Sequence, residues 1–293
     1  MHRWTLTAAL LLAAPGLLAP RPLAAQDCTA GHLPDDSHEA EIFRIRGASA
    51  AFGRAISPVT PRQGAVLTMF EVTTLAHIDR GTATPTYCRP GKPAENVNLM
   101  SVLPRPRVIF GLADGFTFEA SWIPPVRIRD VKANLVSVAL GRTVPMGPGL
   151  ISLRGSATFG EIRAPITCTE EQIAVDTLSP DATECAGGAQ PSDDRYRPNS
   201  LTADITYGWP VAGGRLRPYI GGGVNWLRPR FQVDFTDFRD NTIDQKVEGN
   251  FTRPVAFAGA TWIPTSRLSF TGEVYADPGT TWVGRLGMAY GVR

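Results

Sequence analysis

The sequence predicts an all-β fold, a closed antiparallel transmembrane β-barrel of about ten strands, or twelve if an N-terminal segment also pairs. Three observations predict it. Segments in which apolar and polar side chains alternate with a period of two recur from Gln63 to the end of the chain. The connections between them alternate between short turns and long polar links. Five tryptophans fall at the ends of these segments, on the apolar face.

Taken in order, residues 1–25 read as a secretory signal peptide. Arg3 supplies the basic start, Ala8 to Ala19 is almost wholly Ala and Leu, and Leu23-Ala24-Ala25 offers small residues before Gln26. Pro15, Gly16 and Pro20 interrupt the run, which is shorter than the roughly 20 apolar residues a spanning helix needs. Removing it takes away Arg3 and Arg21 and no acid. That leaves 27 basic residues (29 less two) against 27 acidic ones, which gives no support for a nucleic-acid partner.

Four cysteines remain, an even number in an exported chain, where disulfides persist. Of the three pairings open on paper, Cys168–Cys185, closing one loop, is favoured, with Cys28–Cys88 by elimination. No C-x-x-C occurs and no His sits near Cys168 or Cys185, so a metal centre is not expected there; no cofactor is expected either.

Residues 26–62 form an N-terminal segment. Its first part is polar and irregular, and residues 39–56 read either as a strand or as a small-residue segment lying inside a barrel. Residues 63–293 form the barrel domain. Phe116, Phe118, Ala120 and Trp122 oppose Thr117, Glu119 and Ser121. Ile151, Leu153, Ala157 and Phe159 oppose Ser152, Arg154, Ser156 and Thr158. Leu201, Ala203, Ile205 and Tyr207 oppose Thr202, Asp204 and Thr206. Leu216, Ile220, Val224 and Trp226 oppose Arg215, Arg217, Tyr219 and Asn225. Leu268, Phe270 and Val274 oppose Ser269, Thr271 and Glu273. The last segment sets Trp282, Leu286, Met288, Tyr290 and Val292 against Val283, Arg285, Gly287 and Ala289. In a membrane barrel the apolar set meets lipid and the other set faces the lumen.

Short turns are expected at residues 113–115, 145–149, 211–214 and 264–267. Longer links are expected at 79–95, 124–132, 164–199 and 228–250, with 276–280 the short exception. Trp209 and Trp262 stand beside short turns, whereas Trp122, Trp226 and Trp282 stand at the opposite ends. Two aromatic girdles flanking an apolar band require that arrangement.

With these features together, residues 63–293 resemble the outer-membrane β-barrel superfamily, the small OmpW-like and OmpA-barrel-like type. The final strand resembles the C-terminal targeting signal of those proteins, in which a polar residue, Gly and two hydrophobics recur at fixed offsets. Arg285, Gly287, Tyr290 and Val292 fill them, although Arg293 stands where an aromatic usually ends the chain. The resemblance implies location in the bacterial outer membrane, periplasmic short turns and outer long loops. It also implies contact with outer-membrane lipid and recognition of the last strand by the barrel-assembly machinery.

The expected lumen charges are Glu119, Arg154, Asp204, Arg215, Arg217, Glu273 and Arg285. In a barrel of so few strands they fill the interior as a salt-bridge network more readily than they select a small solute. The function expected is therefore passive small-solute transport or a structural role, and not catalysis. Two alternatives stand beside it. A rim enzyme acting on lipid would use His77, with Ser121 or Asp79 as conceivable partners. A soluble periplasmic β-protein would use its disulfides for stability and bind a lipid.

Overall fold

A computed structural model describes residues 31–86, 94–128 and 130–292. Residues 1–25 and the pairing of Cys28 with Cys88 lie outside those residues. Ten strands form the wall: β1 (Val66–Thr74), β2 (Val102–Gly111), β3 (Phe116–Ile123), β4 (Val131–Met146), β5 (Gly149–Ala164), β6 (Ser200–Gly208), β7 (Leu216–Leu227), β8 (Phe251–Trp262), β9 (Leu268–Asp277) and β10 (Thr281–Gly291). Each pairs antiparallel with the next. β10 returns to β1, with Leu67 opposite Gly291 and Thr73 opposite Arg285, so the sheet closes and has no edge. The wall is thus the expected all-β barrel of ten strands.

Alternation decides which side of the wall each residue occupies. Glu71, Arg105, Arg107, Glu119, Arg154, Asp204, Glu273 and Arg285 are buried inside, while Phe70, Leu153, Leu201, Ile220, Val274 and Leu286 are exposed on the outer face. Residues 112–115, 147–148, 209–215 and 263–267 turn at one end; residues 75–101, 124–130, 165–199, 228–250 and 278–280 connect at the other. At the first turn Gly115 has φ of 75°, and a Cβ there would stand 2.3 Å from the Thr143 carbonyl oxygen, so only glycine fits.

The strand reading of residues 39–56 gives way to a helix, and with it the twelve-strand alternative. Helix α1 (His38–Ala50) starts where the Ser37 hydroxyl accepts a hydrogen bond from the Ala40 amide, with Glu39 and Glu41 in its first turn. Its buried residues lie on every side, among them Ala40, Ile42, Phe43, Ile45 and Ala48, so it lacks the one-sided stripe by which a helix is recognised. α1 sits in the loop-end mouth of the barrel.

A small sheet covers that mouth. The outer end of β5 pairs with Asp194–Arg197, which pairs with Arg230–Gln232, which pairs with Lys246–Glu248. Phe43 of α1 packs against Tyr196 and Phe231 of this cap, ring centroids 5.7 and 6.4 Å apart. Beyond α1 the chain descends through the lumen to the short-turn end. The Ser57 amide donates to Thr261 Oγ1 (2.9 Å) near the end of β8, and Gly208, at the end of β6, is bare because a Cβ would meet Pro58 Cδ at 2.8 Å.

Candidate functional site

The lumen charges converge on five consecutive residues of the threading segment. Arg105 donates to the carbonyl oxygens of Ala50 and Ala51 at 2.7 and 3.3 Å. Arg107 donates to those of Gly53 and Arg54 at 3.0 and 2.8 Å. Arg154 donates to Phe52 and Gly53 at 2.9 and 3.3 Å, and Arg285 to Ala51 at 3.4 Å. A chain without strand partners in mid-lumen thus has its carbonyls satisfied by guanidinium groups, whose planar forks suit this task.

Wall carboxylates pair with three of these four guanidinium groups; among the described residues no ion pair is formed by Arg105. Arg107 pairs with Glu71 and, at 3.0 Å, with Glu119. Arg154 pairs with Glu119 at 3.0 Å and Asp204 at 3.3 Å, and Arg285 with Glu273 at 2.9 Å. Arg54 of the segment adds its own charge 3.6 Å from Asp204. The other Glu273 oxygen accepts from the Tyr219 hydroxyl (2.9 Å) and the Ala55 amide (3.1 Å). Phe52 lies within this ring of charge, its centroid 4.1, 4.9 and 5.3 Å from the guanidinium carbons of Arg107, Arg154 and Arg105. Buried charges need paired, hydrogen-bonded surroundings, and most of these have them, although the Nε atoms of Arg54, Arg105, Arg107 and Arg285 have no hydrogen-bond partner among the described residues.

Of the seven charges expected in the lumen, the structure brings Glu119, Arg154, Asp204, Glu273 and Arg285 together. Arg215 is corrected: β7 begins at Leu216, so Arg215 belongs to the turn and is exposed. Arg217 faces inward near that turn, half-buried, with Nε unpartnered. The sequence reading missed Arg105 and Arg107 because Pro104 and Pro106 interrupt what would otherwise read as a strand, and Glu71 because Leu67 and Met69 share its inward face in β1 and blur the alternation. Those prolines are accommodated because β2 pairs with β3 only from Arg107 onward. The triple glycine of β7 serves close packing: a Cβ on Gly221 would meet the Phe257 ring at 2.4 Å, and one on Gly223 the Ala203 carbonyl at 2.0 Å.

Trp122, Trp226, Trp262 and Trp282 lie on the outer face and are exposed; Trp209, just past β6, is half-buried and stacks on Tyr207. Trp262 stands opposite Leu216, ten residues below Trp226 on β7. At about 3.3 Å per residue and a tilt near 40°, that spacing corresponds to a vertical rise of about 25 Å. His77 lies in the link after β1, on the wall of an outward-facing vestibule of about 710 Å³ that also includes Asn98 and Glu170. Ser121 is inside the lumen, its hydroxyl donating to the Pro106 carbonyl at 2.6 Å, and does not line the His77 vestibule.

In the link after β5, Cys168 and Cys185 form a disulfide buried within the cluster under the cap. Beside it the Asp194 carboxylate accepts from the Thr167 amide (2.6 Å), the Ser192 hydroxyl (2.8 Å) and the Asp234 amide (3.1 Å), and burial nevertheless pushes its pKa up.

The closed ten-stranded wall, apolar outside and charged within, has the architecture of the outer-membrane β-barrels. No protein-family model matches the chain, and no curated protein matches it. Among solved structures it is similar to the translocator domain of the autotransporter NalP from Neisseria meningitidis, at 12% identity over 86% of this chain and 96% of that one, TM-score 0.35. It is also similar to the outer membrane protein AlkL (10% identity, 83% and 97% covered, TM-score 0.35). The N-terminal barrel of Pseudomonas aeruginosa OprF is a third (12% identity, 78% and 98% covered, TM-score 0.30).

Proposed function

We propose that the chain is an integral protein of the bacterial outer membrane, a barrel closed at rest by its own N-terminal segment, with a structural or surface-binding role in place of a standing pore. The observation that carries this reading is the set of guanidinium contacts from β2, β5 and β10 to the carbonyls of residues 50–54. A segment gripped by β2 and β10, which flank β1, and by β5 across the lumen would leave no continuous water column for a solute.

The membrane setting is supported by the outer face. Soluble proteins rarely expose contiguous apolar patches beyond a few hundred Å², whereas here Leu140, Leu153, Leu201, Ile220, Val274 and Leu286 are each about half exposed or more. The rise of about 25 Å between the tryptophans at the two ends matches the apolar band of such barrels, so Trp122, Trp209, Trp226, Trp262 and Trp282 would form the girdles. Export by residues 1–25 and assembly through β10 belong to the same reading.

Planar-bilayer conductance tests it. The purified full chain is expected to insert and stay electrically silent, and a variant lacking residues 38–62 to conduct in steady steps. Steady conductance from the full chain would overturn the closed-lumen reading. Recovery of the protein from the soluble periplasmic fraction, without a heat-dependent shift in gel mobility, would overturn the membrane reading.

A further inference from the structure

Alternation gives the cap two unlike faces. Tyr196, Phe231 and Val247 pack beneath it in the cluster that holds α1, whereas Arg195, Arg197, Arg230, Gln232, Lys246 and Glu248 line a concavity of about 270 Å³ on its outer side. Register sets like charges against each other there. Arg197 stands opposite Arg230, and Gln232 lies between Arg195 and Lys246. The row runs on into the wall, where Arg195 stands opposite Arg163 and Arg163 opposite Lys132. Like charges directly opposite one another destabilise a sheet, and an anion between them relieves the repulsion.

The cations have acidic neighbours, but mostly outside the concavity. Arg195 reaches Asp234 (3.2 Å), Arg197 reaches Glu161 (3.4 Å) and Lys246 reaches Asp244 (3.5 Å), none of which is in the lining. Only Arg230 pairs with a lining acid, Glu248 at 3.1 Å. All four pairs lie at the surface, where such pairs are weak, so these cations are free to turn to a stronger anion. Phosphate is one, since the planar fork of arginine takes it through two hydrogen bonds.

Height selects the source of the phosphate. Trp226 stands opposite Leu201, both on the lipid-facing side; Arg230 follows Trp226 by four residues and Arg197 precedes Leu201 by four, with the same outward parity. The arginine pair is therefore about 10 Å beyond that tryptophan, on the loop side. In the membrane reading above, on which this inference rests, that level is the polar layer of the outer leaflet. We propose that the concavity binds the phosphorylated headgroup of an outer-leaflet lipid, with Arg197 and Arg230 holding one phosphate between them and Arg195 and Lys246, on the next row, serving a second.

Native mass spectrometry of the full chain in a non-ionic detergent tests it, with diphosphorylated lipid A, the same lipid stripped of phosphate, and inorganic pyrophosphate as probes. Saturable one-to-one binding of the diphosphorylated lipid is expected, at least tenfold tighter than that of the stripped lipid. Arg197→Gln combined with Arg230→Gln should remove that preference, and Lys246→Gln alone should weaken it severalfold. Arg142→Gln, which removes an exposed cation at the short-turn end, should leave it intact. All variants should keep the heat-dependent gel shift, because these side chains are at the surface. Equal binding of the two lipids would overturn the proposal, as would a preference unchanged in the double variant. Pyrophosphate bound as tightly as the lipid would overturn the lipid as the source of the phosphate. A wild type without the gel shift would instead overturn the membrane reading.

Discussion

Gly53 shows how narrowly the lumen is filled. A Cβ there would lie 1.5 Å from Arg285 Nη1 and 2.2 Å from Arg285 Cζ. That guanidinium is held by Glu273 and by the face of Tyr275, 4.0 Å from the ring centroid, so it cannot swing aside without leaving Glu273 unpaired in a buried site. Gly53→Val is therefore expected to unseat the segment at a cost of about 3–5 kcal/mol, the scale of a broken buried pair. The measurement is bilayer current: the variant should flicker open where the wild type is silent. An electrically silent variant with unchanged heat stability would show that the segment tolerates a side chain there. At this scale the sequence was partly legible. Period-two alternation places Glu119, Arg154, Asp204, Glu273 and Arg285 inside, but no local signal says that their partners are the carbonyls of residues 50–54, which lie far away in sequence.

At the level of elements, the wall strands are readable because each has one side that must be apolar, whereas α1 has no such constraint. Enclosed by the barrel below and the cap above, it buries Ile42 and Phe43 along with Glu39 and Ser49, and its sequence shows no helical stripe. Tertiary enclosure, not propensity, fixes it. The paired prolines of β2 hide a strand for the opposite reason: a rule about interior strands meets a strand whose outer half is paired on one side only. The Cys168–Cys185 loop is an element with its own prediction. Replacing both cysteines by serine should cost about 3 kcal/mol on a chain-entropy estimate for a loop of this size, confined to the cap. Hydrogen exchange should quicken across residues 165–199 and stay unchanged in β8 to β10. A change spread over the whole wall would instead make the loop part of one cooperative unit with the barrel.

For the whole molecule, residues 31–37 and the last residues of β10 mark opposite ends of the barrel. Residues 31–37 lie with the cap at the loop end, since the Leu33 amide donates to the Glu248 carbonyl (2.9 Å), and the last residues of β10 lie at the short-turn end. In cells, a cysteine placed at exposed Asp36 should react with an impermeant maleimide from outside, on a background with Cys28 and Cys88 replaced by serine. One at Asp114 should react only after the outer membrane is opened. The reverse pattern would invert the molecule in the membrane.

The closed ring has a consequence in time as well as in space. The segment carrying Ala51 is made well before Arg285, which donates to it. Arg285 also stands at the seam, opposite Thr73. A ring of paired strands cannot be entered from the side, so the segment either lies across the unfinished sheet before β10 meets β1 or enters through an open end. The final joint of the wall therefore also completes the set of guanidinium contacts on the segment, since Arg285 adds its own to those of Arg105, Arg107 and Arg154. A chain released before Arg285 is made would lack the closing strand and one of the contacts that hold the segment.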